Sequence, residues 1–283
     1  MRSDIQDLLN VAGGLFSKKV TLDSLHQELA EHFYPERADF IVNRWLGEEF
    51  MQNLSTSYPV IARRDLGNSI SSMLRPRSQH WFKISAGDTQ TDIAGDRWLE
   101  MATTIQKRAM YDRDAQFVRA TKEADHDYVT FGNAVVSVEM NNKKNSLMYR
   151  CWHLRDVAWL EDYDGSICEV YRRSCPSAAK LMSEFKGNVS GQAKEVYEKT
   201  PHAEIKYYHI VLPKDRYKGE MPVGSDYVSI YVEEKTGHVL REEPVQSMIY
   251  VIPRWQTVSG SQYAYSPATV AALPDARLIQ SVT

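Results

Sequence analysis

Glu161, Asp162 and Asp164, with His153 a short way upstream, are the residues of this chain best able to do chemistry. Adjacent carboxylates can hold a divalent cation or divide into a general acid and a general base, and a nearby histidine can carry a proton. Taken that way, the four residues predict a metal-dependent nuclease or another hydrolase. The same acids stand beside Gly165 between two alternating segments, which is what an exposed turn requires, and no calcium-loop spacing accompanies them. Asp125-His126-Asp127 offers a second fragment of metal or relay type. Consecutive residues of a helix point about 100° apart and cannot converge on one ion, so the expectation there is a solvated helix end. Cys151, Cys168 and Cys175 are an odd number without C-x-x-C spacing, which gives neither a disulfide framework nor a zinc knuckle. Cys168 lies in an alternating segment and reads as a small core hydrophobe. The chain contains no G-x-S-x-G, G-x-x-x-x-G-K, G-x-G-x-x-G or H-E-x-x-H. The residues therefore predict a protein that is not an enzyme and takes no cofactor and no metal.

Basic pairs are scattered: Lys18-Lys19, Arg63-Arg64, Lys143-Lys144 and Arg172-Arg173, besides Arg75, Arg77 and the segment Lys214, Arg216, Lys218. Each could touch a phosphate, but the net charge of −3 predicts solvated faces balanced by neighbouring acids. That charge also excludes a surface that binds nucleic acid or anionic lipid throughout by counterion release. The six tryptophans (Trp45, Trp81, Trp98, Trp152, Trp159 and Trp255) suit anchors of a core or of a subunit contact.

The elements that must position these residues divide the chain. At 283 residues, 43% hydrophobic and 25% charged, it is long enough for about two domains of ordinary globular composition. No apolar run approaches the ~20 residues of a membrane span, and the acidic, glutamine-bearing N-terminus is no secretory signal. The first third has helical periodicity. Leu22, Leu25, Leu29 and Phe33 follow a cap at Thr21 or Asp23 and stop before Tyr34-Pro35. Tyr58 to Leu74 sets Ile61, Leu66, Ile70, Met73 and Leu74 on an apolar side and Arg63, Arg64, Asp65 and Asn68 on a polar one. Trp98, Met101, Ile105 and Ala109 form a third stripe, and Phe117, Ala120, Ala124 and Tyr128 a fourth, capped by Asp112 or Asp114. From Gly132 the period falls to two. Hairpins are expected at 134–152 and 157–172, short helices after Pro176 and over 192–199, and an antiparallel meander of strands at 203–212, 227–233, 238–243 and 248–252. Ser266-Pro267 begins a helix that Pro274 should kink or restart. That helix reaches Thr283 in mid-stripe without a C-cap, which predicts a fragment of something longer. The fold class is α+β.

The order of certain phrases carries a resemblance. Tyr128-Val129-Thr130-Phe131-Gly132-Asn133-Ala134-Val135-Val136-Ser137-Val138-Glu139 is followed by Tyr149-Arg150, His153-Leu154-Arg155-Asp156, Glu161-Asp162-Tyr163-Asp164-Gly165 and Val170-Tyr171-Arg172-Arg173. Upstream stand Tyr34-Pro35-Glu36-Arg37-Ala38, Ala62-Arg63 and Trp81-Phe82; downstream stand Pro253-Arg254-Trp255, Tyr263 to Pro267 and Ala271-Ala272-Leu273-Pro274-Asp275. The whole resembles the portal, or head-to-tail connector, proteins of short-tailed bacteriophages. Where that family often has Tyr-Gly-Arg-Ser-Pro, this chain has Tyr263-Ala264-Tyr265-Ser266-Pro267, without the glycine and the arginine. Family members are also longer, continuing through a stem helix, a return to the wing and a helical crown.

The resemblance implies a homo-oligomeric ring, usually of twelve subunits, at one capsid vertex. Double-stranded DNA is packaged and ejected through its channel, and the ring docks terminase first and adaptor or tail proteins later. Capsid and scaffolding proteins are further partners, and no membrane is involved. It would be a virion component assembled in the host cytoplasm. It also implies a wing-like domain over 1–173, a stem- and clip-like segment over 174–257, and the start of a following helix over 258–283. The candidate contact with terminase or adaptor is the loop with Lys214, Arg216 and Lys218 together with the turn carrying Glu233, Glu234 and Lys235. A third reading is another ring-forming adaptor of the virion.

Overall fold

A computed structural model describes residues 3–45, 47–48, 54–76, 79–87, 89–141, 144–219 and 224–282. Two of the basic residues above, Arg77 and Lys143, lie outside the described residues. The chain forms two compact units, and neither is a single stretch of sequence. The first joins Met1–Ser24 to His153–Tyr250, and the second joins Leu25–Trp152 to Val251–Thr283. Residues 173 and 257 are therefore not where the compact units divide.

In the first unit a five-stranded antiparallel meander runs β3 (Val157–Glu161), β4 (Ile167–Ser174), β5 (Tyr207–Pro213), β6 (Tyr227–Glu233), β7 (Val239–Val245), in that spatial order. Its central strands are apolar on both sides, as strands covered on both faces must be; Tyr207 to Leu212 are all buried. One face, through Tyr208, Ile210, Leu212, Val228 and Ile230, packs on Ile5, Ala12 and Leu15 of helix α1 (Ser3–Phe33). The opposite face, through Tyr207, Tyr231 and Leu240, packs on Leu181, Phe185 and Ala193 of the short helices α5 (Ala178–Glu184) and α6 (Gly191–Lys199). The Ser190 hydroxyl caps α6 by accepting from the Ala193 N–H at 3.1 Å.

The second unit holds the end of α1, α2 (Tyr58–Leu74), α3 (Ile93–Met110), α4 (Phe117–Phe131), the hairpin β1 (Val135–Met140) and β2 (Leu147–Trp152), and α7 (Leu273–Val282). Phe131 of α4 meets Phe40 and His26 at ring-centroid distances of 5.1 and 5.2 Å. Phe117 at its other end stacks parallel to Trp81 and meets Tyr149 edge to face. A Cβ on Gly67 of α2 would sit 2.4 Å from Nδ1 of His126 on α4, so the missing side chain is what admits the histidine. Before α7 the chain makes a π-turn over Ala268–Ala272, and the α-helix restarts at Leu273-Pro274, where proline has no N–H to give back to the preceding turn.

The structure changes several expectations. Helix α1 begins at Ser3, so neither Thr21 nor Asp23 is its cap; Asp23 lies within the helix and pairs with Lys19 one turn earlier at 3.3 Å. The meander loses its last member, because β8 (Tyr250–Val251) leaves it for the three-stranded sheet β2-β1-β8, while β3 and β4 join it at the other edge. On α2 the expected apolar side does not reach the core: Arg63 and Gly67 are buried, while Ile61, Leu66, Met73 and Leu74 are exposed, as are Arg64, Asp65 and Asn68. On α3 the stripe of Trp98, Met101 and Ile105 also faces outward.

Candidate assembly surface

The acids of the possible hydrolase serve a turn. Asp164 Oδ1 accepts from the Ser166 N–H at 2.8 Å and from its hydroxyl at 2.7 Å, and these bonds hold the exposed carboxyl below its usual range. Asp162 Oδ1 accepts from the Tyr163 N–H and stands 3.4 Å from Arg216. His153 Nδ1 accepts from the Arg155 N–H at the start of the 3-10 turn Leu154–Asp156. Among the described residues no three His, Cys, Asp or Glu side chains come together as a metal site.

The second fragment is not a solvated helix end. Asp125, His126 and Asp127 are all buried, and the 100° step between them sends each to a different arginine. Asp127 receives a two-pronged bond from Arg37, with Nε at 3.1 Å and Nη2 at 2.7 Å, and Cys151 Sγ is 3.6 Å from the same carboxylate. His126 Nδ1 lies 3.2 Å from Arg63 Nη1, and Asp125 pairs with Arg75. Arg63 also donates to the Phe33 carbonyl at 3.0 Å, satisfying the last turn of α1, and lies 3.9 Å from the Tyr34 ring. Burial opposes the charge of Arg37, but Asp127 more than offsets it and the guanidinium pKa is raised. Burial and then Arg63 depress the His126 pKa, so a neutral imidazole faces that cation. Sequence reasoning missed this frame because the basic residues Arg63 and Arg75 read as solvent-facing and Asp125 to Asp127 as a solvated helix end.

The phrases that carry the resemblance meet in space. Asn133 is wholly buried: its Oδ1 accepts from the Ala264 N–H at 3.0 Å and its Nδ2 donates to the Ala264 carbonyl at 2.9 Å. The Trp255 N–H donates to the Gly132 carbonyl, the Ala134 N–H to that of Pro253, and the Ser266 hydroxyl to that of Thr130. Gly132 has φ +77, and a Cβ there would stand 2.6 Å from the Tyr265 carbonyl carbon. The Tyr128-to-Asn133 and Pro253-to-Pro267 phrases thus form one seam in the second unit, framed by Arg37 and Arg63 from the upstream phrases. In the first unit, His153-to-Asp156 and Val170-to-Arg173 meet likewise: Arg173 lies 3.2 Å from Asp156 and donates to the Arg155 carbonyl. Lys19, buried beside them, donates to the Leu154 and Val157 carbonyls, and burial lowers its pKa to about 8.

The six contact residues expected from sequence do not form one cluster. Pro213 pairs with Tyr227 and Tyr207 with Glu233, so the Lys214 loop and the Glu233 turn cap opposite ends of the β5–β6 ladder, roughly 20 Å apart. Arg216 bonds Glu169 at 2.7 Å, and Lys218 pairs with Asp7 at 3.0 Å. Glu233 is buried, accepting from the Ser190 N–H and the Thr236 hydroxyl, and Glu234 accepts from the Tyr208 hydroxyl. Lys235 is exposed, and Lys214 is half-buried.

Within the second unit, large apolar side chains face outward in rows on α2 and α3, and a cleft of about 300 Å³ beside α2 and α4 is lined by Ser72, Arg75, Phe117, Thr121 and Lys122. Buried ions thus fix the helices, the acids serve a turn, and large apolar side chains stand outward on α2 and α3. Residues 6–283 match the family of bacteriophage head-to-tail connecting proteins, and the chain belongs to that family. It is a phage connector of portal type, and such a connector is a component of the virion. No curated protein matches the chain.

Proposed function

We propose that this chain is the subunit of a ring at one vertex of the phage head, through which double-stranded DNA is packaged and later ejected. The ring is a homo-oligomer of about twelve subunits, and its neighbours are capsid and scaffolding proteins, terminase during packaging, and adaptor or tail proteins afterwards. The observation that carries this reading is the family match over 6–283. The net charge of −3 agrees with a channel that passes DNA without gripping each phosphate. The second unit takes the wing-like role and the strand-rich first unit the clip-like role. The test is location: antibody to this chain should label a single vertex of purified heads, and labelling dispersed over the shell would overturn the proposal.

We place the terminase or adaptor contact on Lys214 and Lys218 at one end of the five-stranded sheet, with Lys235 at the other end as the alternative. Lys214→Glu with Lys218→Glu should weaken terminase or adaptor binding at least tenfold while leaving the melting temperature within about 2 °C, and Lys235→Glu reports on the other end. Unchanged binding in both would remove the contact from these loops. Arg216 and Glu233 are excluded from that test because their bonds hold the fold.

A further inference from the structure

Two helices of the second unit are finished on one side only. On α3, Trp98, Met101 and Ile105 are 61, 56 and 56% exposed and, three and four residues apart, share one face. Helix α3 has 18 residues and buries only Thr103 and Met110, too little packing to hold a helix of that length by propensity alone. On α2, Tyr58 and Met73 are 67 and 79% exposed, with Ile61 and Leu66 beside them at about 40%. Because both rows remain open, neither covers the other within one chain.

Each row is large enough to centre a contact with a second copy. A free large apolar side chain presents about 150–250 Å², so each row offers on the order of 400 Å² and the two together about 800 Å². A head-to-tail junction covers one row from each copy, about 800 Å² in all, the apolar centre of a contact that a polar rim enlarges toward the ~1,600 Å² of a standard interface. The charges choose the pairing. Arg97 and Arg108, both exposed, border the α3 row. Asp65, 66% exposed, sits within the α2 row, with Arg64 on its flank. Row α3 on row α3 would set arginines against arginines, whereas α3 on α2 sets them against Asp65.

We infer that the Trp98 row of one copy seats on the Tyr58–Met73 row of the next. This is a head-to-tail contact, of the kind that closes a ring. The inference rests on the ring reading above and names the surfaces that make it.

The test uses Trp98→Lys and Met73→Lys, both at exposed positions, with circular dichroism and melting to confirm folding. Each variant alone should associate at least ~30-fold more weakly than the unmodified chain in a light-scattering concentration series. Mixed one to one, they should form dimers and nothing larger, because only one intact junction can form per pair. Met101→Ala with Ile105→Ala serves in place of Trp98→Lys if that variant misfolds. Rings from either variant alone would overturn this inference while leaving the ring reading intact. A mixture that builds full rings would overturn it as well. An unmodified chain that stays monomeric at every concentration would overturn both. Intact rings that lose only terminase binding would reassign the rows to that partner and overturn the contact between copies.

Discussion

Single residues carry much of the stability of each unit. Asp127 is 1% exposed and paired by two bonds, so Asp127→Ala leaves Arg37 charged and without that partner; the expected loss is about 3 kcal/mol or more by denaturant titration. Gly132→Ala must both adopt φ +77 and displace the Tyr265 backbone. Seam-opening should appear as a loss of at least ~2 kcal/mol, and a loss under 0.5 kcal/mol would contradict the geometry. In the first unit His209 is enclosed, with Nδ1 2.6 Å from the Tyr250 hydroxyl, Nε2 2.8 Å from Ser229 Oγ, and its ring stacked on Tyr231 at 4.0 Å. Burial, then Arg172 and Arg241, push its pKa well below the usual 6.5, so it is neutral in the fold. The unfolded chain takes up a proton below pH 6.5 that the folded one refuses, and stability therefore falls as the pH drops through that value. His209→Gln should flatten the acid limb of a melting-temperature profile.

At the scale of elements, the buried Lys19 ties α1 to the chain between Leu154 and Val157. With its pKa lowered from 10.5 to about 8 by burial, against the opposing pull of Asp23, it is uncharged in the fold at pH values where the unfolded chain is still protonated. Stability from this group therefore rises between pH 8 and 10.5, by up to roughly 3 kcal/mol, and Lys19→Met should remove that rise relative to the unmodified chain. Elements were largely legible in the sequence where period and punctuation agreed. Helix α2 occupies 58–74 as expected, the two hairpins form, the second with a bulge at Leu160-Glu161, and Pro274 marks the helix restart. What each helix faces was not legible. Periodicity reports an apolar side without saying whether it meets the chain's own core or another molecule: Met73, expected on an apolar side, and Trp98, expected to anchor a core or a subunit contact, both stand outside. The buried arginines failed for the complementary reason, since Arg63 is admitted only by a carbonyl, a histidine and a tyrosine ring from other elements. The departure of β8 was illegible because its partner lies more than a hundred residues upstream.

Across the whole molecule, phrases far apart in sequence meet in space within each unit. The seam joining Gly132-Asn133 to Trp255 and Ala264 is one such place, and the arginine frame on α4 is another. These buried clusters hold rigid units whose outward surfaces remain for assembly, which is the task of a head-to-tail connector. The measurement that tests this most directly is the particle mass of the chain across concentration, by mass photometry or light scattering, with negative-stain images of any large species. The account predicts closed rings of about a dozen subunits with a central hole, the outcome of a head-to-tail contact that closes. A closed twofold dimer that grows no further would contradict it.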